Sequence, residues 1–252
     1  FRNLTWFLSC VLTRFFVEWA SSFFSIMTNI SKYVIGVDIG GTNVKLGLVD
    51  PRGKVLLRSS LATKHFGKSP EALIEAICEA VEALTGKNRL GKKDISGVGI
   101  GLPGLVDADK GVVRMLPNIP GWAEVPLRRI MERRLGLSVR IENDVNMITL
   151  GEWEYGAGKG IENLICMTMG TGVGAGLILN NAIYRGPGFA AGEIGHAPLH
   201  QKGPVCGCGG WGCFEQYVGN KRLQKDAARL FGKKDISLED VSRRAAEGKK
   251  KA

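Results

Sequence analysis

Residues 33–50 read YVIGVDIGGTNVKLGLVD. Residues 33–38 and 44–50 are dominated by β-branched and aliphatic side chains, and the Gly40-Gly41-Thr42-Asn43 segment between them is turn-forming. The stretch therefore reads as two strands joined tightly. Pro51-Arg52-Gly53 makes a second turn into a β-rich run at 54–61, which completes an antiparallel meander.

Outward from this meander, a Ser-Pro-Glu start at 69–71 opens a segment in which Leu73, Ile74, Ile77, Val81 and Leu84 recur at helical spacing. Residues 95–101 (ISGVGIG) lack polar alternation, which suits a parallel strand covered on both faces. A second α/β set follows: helix 126–135, strand 138–142, helix 144–155, and strands 164–169 and 174–179, the last closed by an Asn180-Asn181 hairpin. Meanders followed by helices, with glycine turns at strand ends, predict a bilobal α/β protein that holds its ligands between lobes. The boundary is expected near residues 136–145, giving an N-terminal lobe over 27–140 and a C-terminal lobe over 141–252.

The 252-residue chain is 44% hydrophobic and 23% charged, with 35 glycines. This suits a folded protein and excludes disordered, collagen-like and disulfide-scaffold classes. A net charge of +10 would by itself suit nucleic acid or an acidic membrane surface. Its placement argues otherwise: residues 221–252 hold 11 basic and 5 acidic side chains, whereas 27–220 hold 21 and 18. The excess lies where Ser237-Leu238-Glu239-Asp240 reads as a capping box opening a helix. A solvated helix face is expected there, with neither nucleic acid nor membrane as a partner. Residues 1–26 are rich in aromatics, but Arg14 and Glu18 interrupt them short of the roughly 20 apolar residues that span a bilayer. The native start is expected at Met27, with 1–26 an upstream extension.

Four motifs carry chemistry. In Asp38-Ile39-Gly40-Gly41-Thr42, glycines let backbone amides approach a phosphate, Thr42 adds a hydroxyl and Asp38 can hold Mg²⁺; an ordinary Gly-Gly hairpin with a turn Asp is the competing reading. Gly170-Thr171-Gly172-Val173-Gly174-Ala175-Gly176 lies between strands, not before a helix, so it is no dinucleotide fingerprint and suits a second phosphate-embracing turn. In Glu142-Asn143-Asp144, Asp144 stands at a strand end before a helix, placed either to accept a proton from an attacking hydroxyl or simply to cap the helix.

The fourth motif is the most specific. His196, Cys206, Cys208 and Cys213 lie within 18 positions and form a Cys₃His set suited to tetrahedral Zn²⁺; four protein ligands leave no open position, so the metal is expected to be structural. Cys10, Cys78 and Cys166 sit in apolar sequence and are expected to be inert core thiols. Around the cysteine knot, Glu193, His196 and Glu215, with Asn118 on a loop between prolines, offer carboxylates and an amide suited to a polyhydroxylated ligand. Trp122 is expected as its apolar support.

Together DIGGTNVKLGLVD, GLPGLVD, PNIPGW, ENDVN, GTGVGAG, GEIGH and CGCGGWGCFE resemble the ROK family of repressors and sugar kinases, and within it the bacterial glucokinases, over residues 33–219. The resemblance implies an actin-like ATPase (ribonuclease H-like) bilobal α/β fold with an incomplete second lobe. It implies Mg-ATP held by Asp38, Gly40, Gly41, Thr42, Gly170, Thr171, Gly172 and Gly174. It implies transfer of the γ-phosphoryl to the 6-hydroxyl of a hexose, expected to be glucose, with Asp144 as general base. Asn118, Asn143, Asp144, Glu193, His196 and Glu215 match sugar-binding positions; His196, Cys206, Cys208 and Cys213 match the ligands of a structural zinc. The implied protein is cytoplasmic and a homo-oligomer when full length, and the 252-residue chain is expected to show little kinase activity. Other acceptors, such as an N-acetylhexosamine, and a sugar-responsive repressor are the alternatives. A repressor needs a basic helix-turn-helix ahead of the first strand, where residues 1–32 are aromatic and nearly uncharged.

Overall fold

The structure, a computed structural model, describes residues 32–66, 69–117, 119–170 and 172–247. The expected extension before Met27, Cys10, Asn118, Thr171 and the terminal lysines lie outside the described residues.

β1 (Tyr33–Ile39), β2 (Asn43–Val49) and β3 (Val55–Ala62) form the expected antiparallel meander. α1 (Pro70–Lys87) starts where Ser69 accepts a hydrogen bond from Ala72 N, and proline suits its first position because the N–H it lacks would have no partner within the helix. It runs three residues further than its apolar pattern, and it buries Leu73, Ile74, Ile77, Val81 and Leu84, each worth about 1.5–3 kcal/mol when fully removed from water. β4 (Ile95–Leu102) pairs parallel to β1. Then β5 (Leu105–Asp107), β6 (Val112–Met115) and β7 (Ala123–Val125) make a small antiparallel sheet that hydrophobic periodicity does not reveal, because its strands are three or four residues long. Asp107, almost fully buried, accepts from Lys110 N and Arg114 Nη2 (2.9 and 2.7 Å) and closes the β5–β6 turn.

α2 (Leu127–Leu135) buries Leu127, Met131 and Leu135 at four-residue intervals and ends on Gly136 in the left-handed region. β8 (Val139–Asn143) follows, parallel to β4, and α3 (Asp144–Tyr155) begins without a connecting loop. The main sheet has the order β3-β2-β1-β4-β8. β9 (Leu164–Met169), β10 (Val173–Leu179) and β11 (Ala182–Tyr184) form a third sheet; Asn180 and Asn181 between the last two both take positive φ, as a two-residue type I′ turn requires. α4 (Glu215–Val218), α5 (Asn220–Phe231) and α6 (Leu238–Ala246) complete the described chain. Ser237 caps α6 by accepting from Asp240 N, while the Asp240 carboxylate pairs with Arg243.

The described residues divide into two compact units, 32–164 with 177–190, and 165–176 with 191–247. Residues 141–143, expected at the head of a second lobe, instead extend the β4–β8 ladder of the first unit, because a parallel strand that left mid-ladder would orphan buried backbone groups. The first unit's core joins β1, β2, β4, α1, α2 and Trp122, which is buried there among aliphatic side chains rather than presented to a ligand. Cys78 is a buried thiol, pushed up to about 11 by desolvation and neighbouring carboxylates, as expected of an inert core thiol; Cys166 is only half-buried. Among the described residues no helix is long and apolar enough to cross a membrane.

Candidate active site

In the first unit, the parallel ladders set Asp38 of β1 beside Gly101 of β4 and Gly101 beside Glu142 of β8. The carboxyl ends of three strands thus lie level, the edge at which open α/β sheets bind ligands. Asp38 is half-buried; desolvation pushes its carboxyl above the ordinary carboxylate range, partly offset by Lys45, its neighbour on β2. The Gly40–Thr42 turn is closed by Gly40 N donating to Asn43 O (3.0 Å). It is tied to the end of β3 by Thr63, whose hydroxyl donates to Gly40 O (2.8 Å) and whose N–H donates to Thr42 O (3.0 Å). Gly41 and Thr42 are exposed at its tip.

An acid short of solvation beside a glycine turn is a donor set that fits a divalent cation and a phosphate. The folded state holds the Asp38 proton more tightly than the unfolded chain, so this group favours folding at low pH and loses that contribution as pH rises through its folded pKa. Asp38→Asn is therefore expected to raise the melting temperature at pH 7 and to lose that gain in acid. Thermal scans at pH 4 and 7 check both.

At the end of β8 the sequence offered a capping or a catalytic role for Asp144, and the structure gives the cap to its neighbour. Asn143 is the cap: its Oδ1 accepts from Val145 N and Asn146 N (2.9 and 3.1 Å), and its Nδ2 donates to Gly104 O (3.1 Å). Asp144 is the first residue of α3, half-buried, with Oδ1 accepting from Val145 N (2.9 Å). Its Cα lies 3.7 Å from where a Cβ on Gly101 would stand, so the glycine-rich β4 lets α3 start close against the sheet.

In the second unit, the GTGVGAG turn, the GEIGH segment and the cysteine knot are built into one another. Gly170 N donates to Gly172 O, and Asn220 N at the start of α5 donates to Gly170 O (2.8 and 2.9 Å). Ala175 N donates to Gly192 O (2.9 Å), laying the GEIGH segment along β10. The approach is so close that a Cβ on Gly195 would meet Val173 O at 2.0 Å. Gly195→Ala is expected to destabilise the protein by about 2–3 kcal/mol, read as a lowered denaturation midpoint, whereas Gly207→Ala, with open space around it, should leave the midpoint nearly unchanged.

The four predicted metal ligands converge: their ligand atoms all lie within 4.8 Å of one another. His196 Nδ1 stands 3.6 Å from Cys206 Sγ, and Cys208 Sγ 3.7 Å from Cys213 Sγ. A tetrahedral zinc with ordinary bond lengths requires edges of about 3.6 Å for N···S and about 3.8 Å for S···S, so the set fits the ion. Burial and the two neighbouring sulfurs push the Cys213 thiol up to about 12, and a cation among the sulfurs is what would reverse that. With Nδ1 turned inward, Nε2 of His196 faces Glu193 Oε2 at 3.9 Å. Glu215 lies with Oε1 3.2 Å from Cys206 Sγ, and its Oε2 is 2.8 Å from where a Cβ on Gly172 would stand, so it borders both the knot and the glycine turn. Glu193 and His196 are half-exposed and Glu215 less so.

The ROK family profile matches residues 34–252. The chain belongs to the ROK family. Its fold is the mixed α/β, actin-like ATPase fold of ROK glucokinases: a solved ROK glucokinase from Streptomyces griseus in complex with glucose and AMPPNP superposes with a TM-score of 0.71 at 35% identity, covering 87% of this chain and 72% of that one. Glucokinase from Streptomyces coelicolor is 42% identical over 193 residues, 77% of this chain and 58% of the relative. A ROK relative of the other kind, the xylose repressor of Caldicellulosiruptor bescii, is 34% identical over 212 residues, 82% of this chain and 53% of the relative. The chain thus spans under two thirds of the length of these curated relatives.

Two residues of this ROK chain that sequence reading passed over are Glu142 and Arg185. The first is fully buried at the end of β8, and the second, just after β11, reaches it over 43 positions. A glutamate at an inward position of a strand, two residues after Arg140 and just before the Asn143-Asp144 pair, was the one available signal.

Proposed function

We propose that this ROK protein is an ATP-dependent hexokinase that transfers the γ-phosphoryl group of ATP to the 6-hydroxyl of glucose. The observation that carries the reading is the level row at the carboxyl ends of β1, β4 and β8, with Asp38 and its glycine turn at one strand end and Asp144 at another. The S. griseus relative with glucose and AMPPNP supports it.

Asp144 acts as general base. A sugar hydroxyl is too weak an acid to ionise at neutral pH, so a carboxylate aligned with it accepts the proton as the bond to phosphorus forms. Asn118, Asn143, Glu193, His196 and Glu215 hold the hexose; carboxylates accept pairs of ring hydroxyls and the Asn143 amide fixes the turn that presents Asp144. Backbone amides of the Gly40–Thr42 and Gly170–Gly174 turns cradle phosphate oxygens, Thr42 and Thr171 adding hydroxyls. Magnesium bound at Asp38 would neutralise charge on the transferred phosphoryl group. A structural zinc held by His196, Cys206, Cys208 and Cys213 would fix the His196 tautomer, leaving Nε2–H to donate to a sugar oxygen. The protein works in the cytoplasm as a homo-oligomer.

The test is a coupled assay of ADP release with glucose, mannose, N-acetylglucosamine and N-acetylmannosamine, run on the 252-residue chain and on any longer reading frame that contains it. Glucose-dependent ADP release is the expected result for the longer form, with little from the 252-residue chain. A preference for an N-acetylhexosamine would move the acceptor, and no turnover with any hexose in either form would sink the kinase reading.

A further inference from the structure

The buried carboxylate of Glu142 has no role in the chemistry above, yet its contacts lead directly to the residue that does. It is fully buried, and all its observed bonds are made within the first unit. Oε2 accepts from Arg185 Nε and Nη2 at 2.8 and 2.6 Å. Oε1 accepts from Asn143 N at 3.0 Å and Asn146 Nδ2 at 3.1 Å. Asn143 and Asn146 stand on either side of Asp144, and Asn143 in turn caps α3 through Val145 N and Asn146 N and anchors to Gly104 O. One carboxylate thus holds both ends of the turn from which Asp144 projects, and one guanidinium holds that carboxylate.

A buried carboxylate keeps its charge only where that charge is matched. Two N–H groups of the planar guanidinium converge on Oε2, which fixes that oxygen and so aims Oε1 at Asn143 and Asn146. Without Arg185 the carboxyl group loses both donors on Oε2 and is free to rotate, which releases the turn. We propose that Arg185 is a positioning residue for phosphoryl transfer: through Glu142 it holds the first turn of α3 so that Asp144 meets the acceptor hydroxyl. This rests on the reading of Asp144 as general base.

The experiment compares Arg185→Met, Arg185→Lys, Glu142→Gln and the double variant Glu142→Gln/Arg185→Met with the unmutated protein, below their melting transitions. Two readouts are taken: steady-state kinetics, and amide hydrogen exchange at Asn143, Val145 and Asn146. Arg185→Met is expected to lower kcat by about 10- to 100-fold while sugar KM rises by less than about tenfold, because Asn143 alone among the proposed sugar ligands stands on the released turn. Exchange at the three amides should quicken at least about tenfold, as opening of a local hydrogen-bonded turn dictates. Arg185→Lys should fall between. In the double variant the glutamine oxygen can still accept from Asn143 N and Asn146 Nδ2 with no charge left unmatched, so kcat and exchange should recover most of the loss, a non-additive result. Unchanged exchange in Arg185→Met, or a double variant no better than Arg185→Met, overturns the proposal. If Arg185→Met fails to fold, Arg185→Lys and Glu142→Gln carry the same two readouts. Absence of turnover in the unmutated protein, in both the 252-residue and the longer form, would deny the kinase reading alone, and exchange would still decide whether Arg185 holds the turn.

Discussion

Replacing Asp144 with Asn is expected to lower kcat by about 10²- to 10⁴-fold, the usual contribution of a positioned general base, while the protein keeps its fold and its sugar affinity. The structure makes both halves of that expectation specific. The helix cap belongs to Asn143, so the substitution removes no capping bond, and an asparagine Oδ1 can still accept from Val145 N as Asp144 does. Nearly isosteric replacement leaves the contact with Gly101 in place. What is lost is the carboxylate's capacity to take a proton. Steady-state kinetics, titration calorimetry with glucose and a melting curve separate the outcomes. Full activity in the variant would remove the general-base assignment, and a large loss of melting temperature would return Asp144 to a structural role.

Cys206→Ser should have an effect as large, by another route. Cys206 is buried and lies within 3.6 Å of His196 Nδ1 and 3.2 Å of Glu215 Oε1, so it touches two of the proposed sugar ligands. A serine hydroxyl does not ionise to a soft anion at neutral pH and is a poor zinc ligand. Metal content is expected to fall from one equivalent to under about a tenth, because the site and the local fold form together. Sugar KM should rise by about 10- to 100-fold as His196 and Glu215 lose their fixed orientation. Elemental analysis of chelator-free protein, with Cys166→Ser as the comparison, gives the first number and kinetics the second. Retention of metal by Cys206→Ser would sink the ligand assignment.

The two experiments probe features that differed in how far they could be read in advance. The convergence of His196, Cys206, Cys208 and Cys213 was readable because four such side chains within 18 positions, interleaved with glycine, constrain one another locally. The dual possibility at Asp144 was readable but could not be resolved, since a shift of one residue in the end of β8 decides whether 143 or 144 caps the helix. That end is set by hydrogen bonds to β4, more than 35 residues earlier in the chain. Trp122 shows the reverse error: an aromatic just after a proline-rich loop looked like an apolar support for a ligand, and the core claimed it.

Elsewhere the pattern holds. The meander, α1, β4, α2, β8, α3, β9 and β10 were all legible, because each carries its own period, its own cap or its own turn residues, and local sterics and burial of one face suffice to specify it. The β5-β6-β7 sheet was not, since strands of three or four residues carry no period and exist through pairing. Nor was the placement of residues 141–143 in the first unit. By itself, then, the sequence determined the α/β class, the order of most elements, the Cys₃His set and the family. Only the tertiary structure decided which His196 nitrogen turns to the sulfurs, that Asn143 rather than Asp144 caps α3, and that Arg185 meets Glu142 across 43 positions. The physical reason is the range of the forces: propensity and capping act over a few residues, whereas a buried charge finds its partner only once the chain has folded around it.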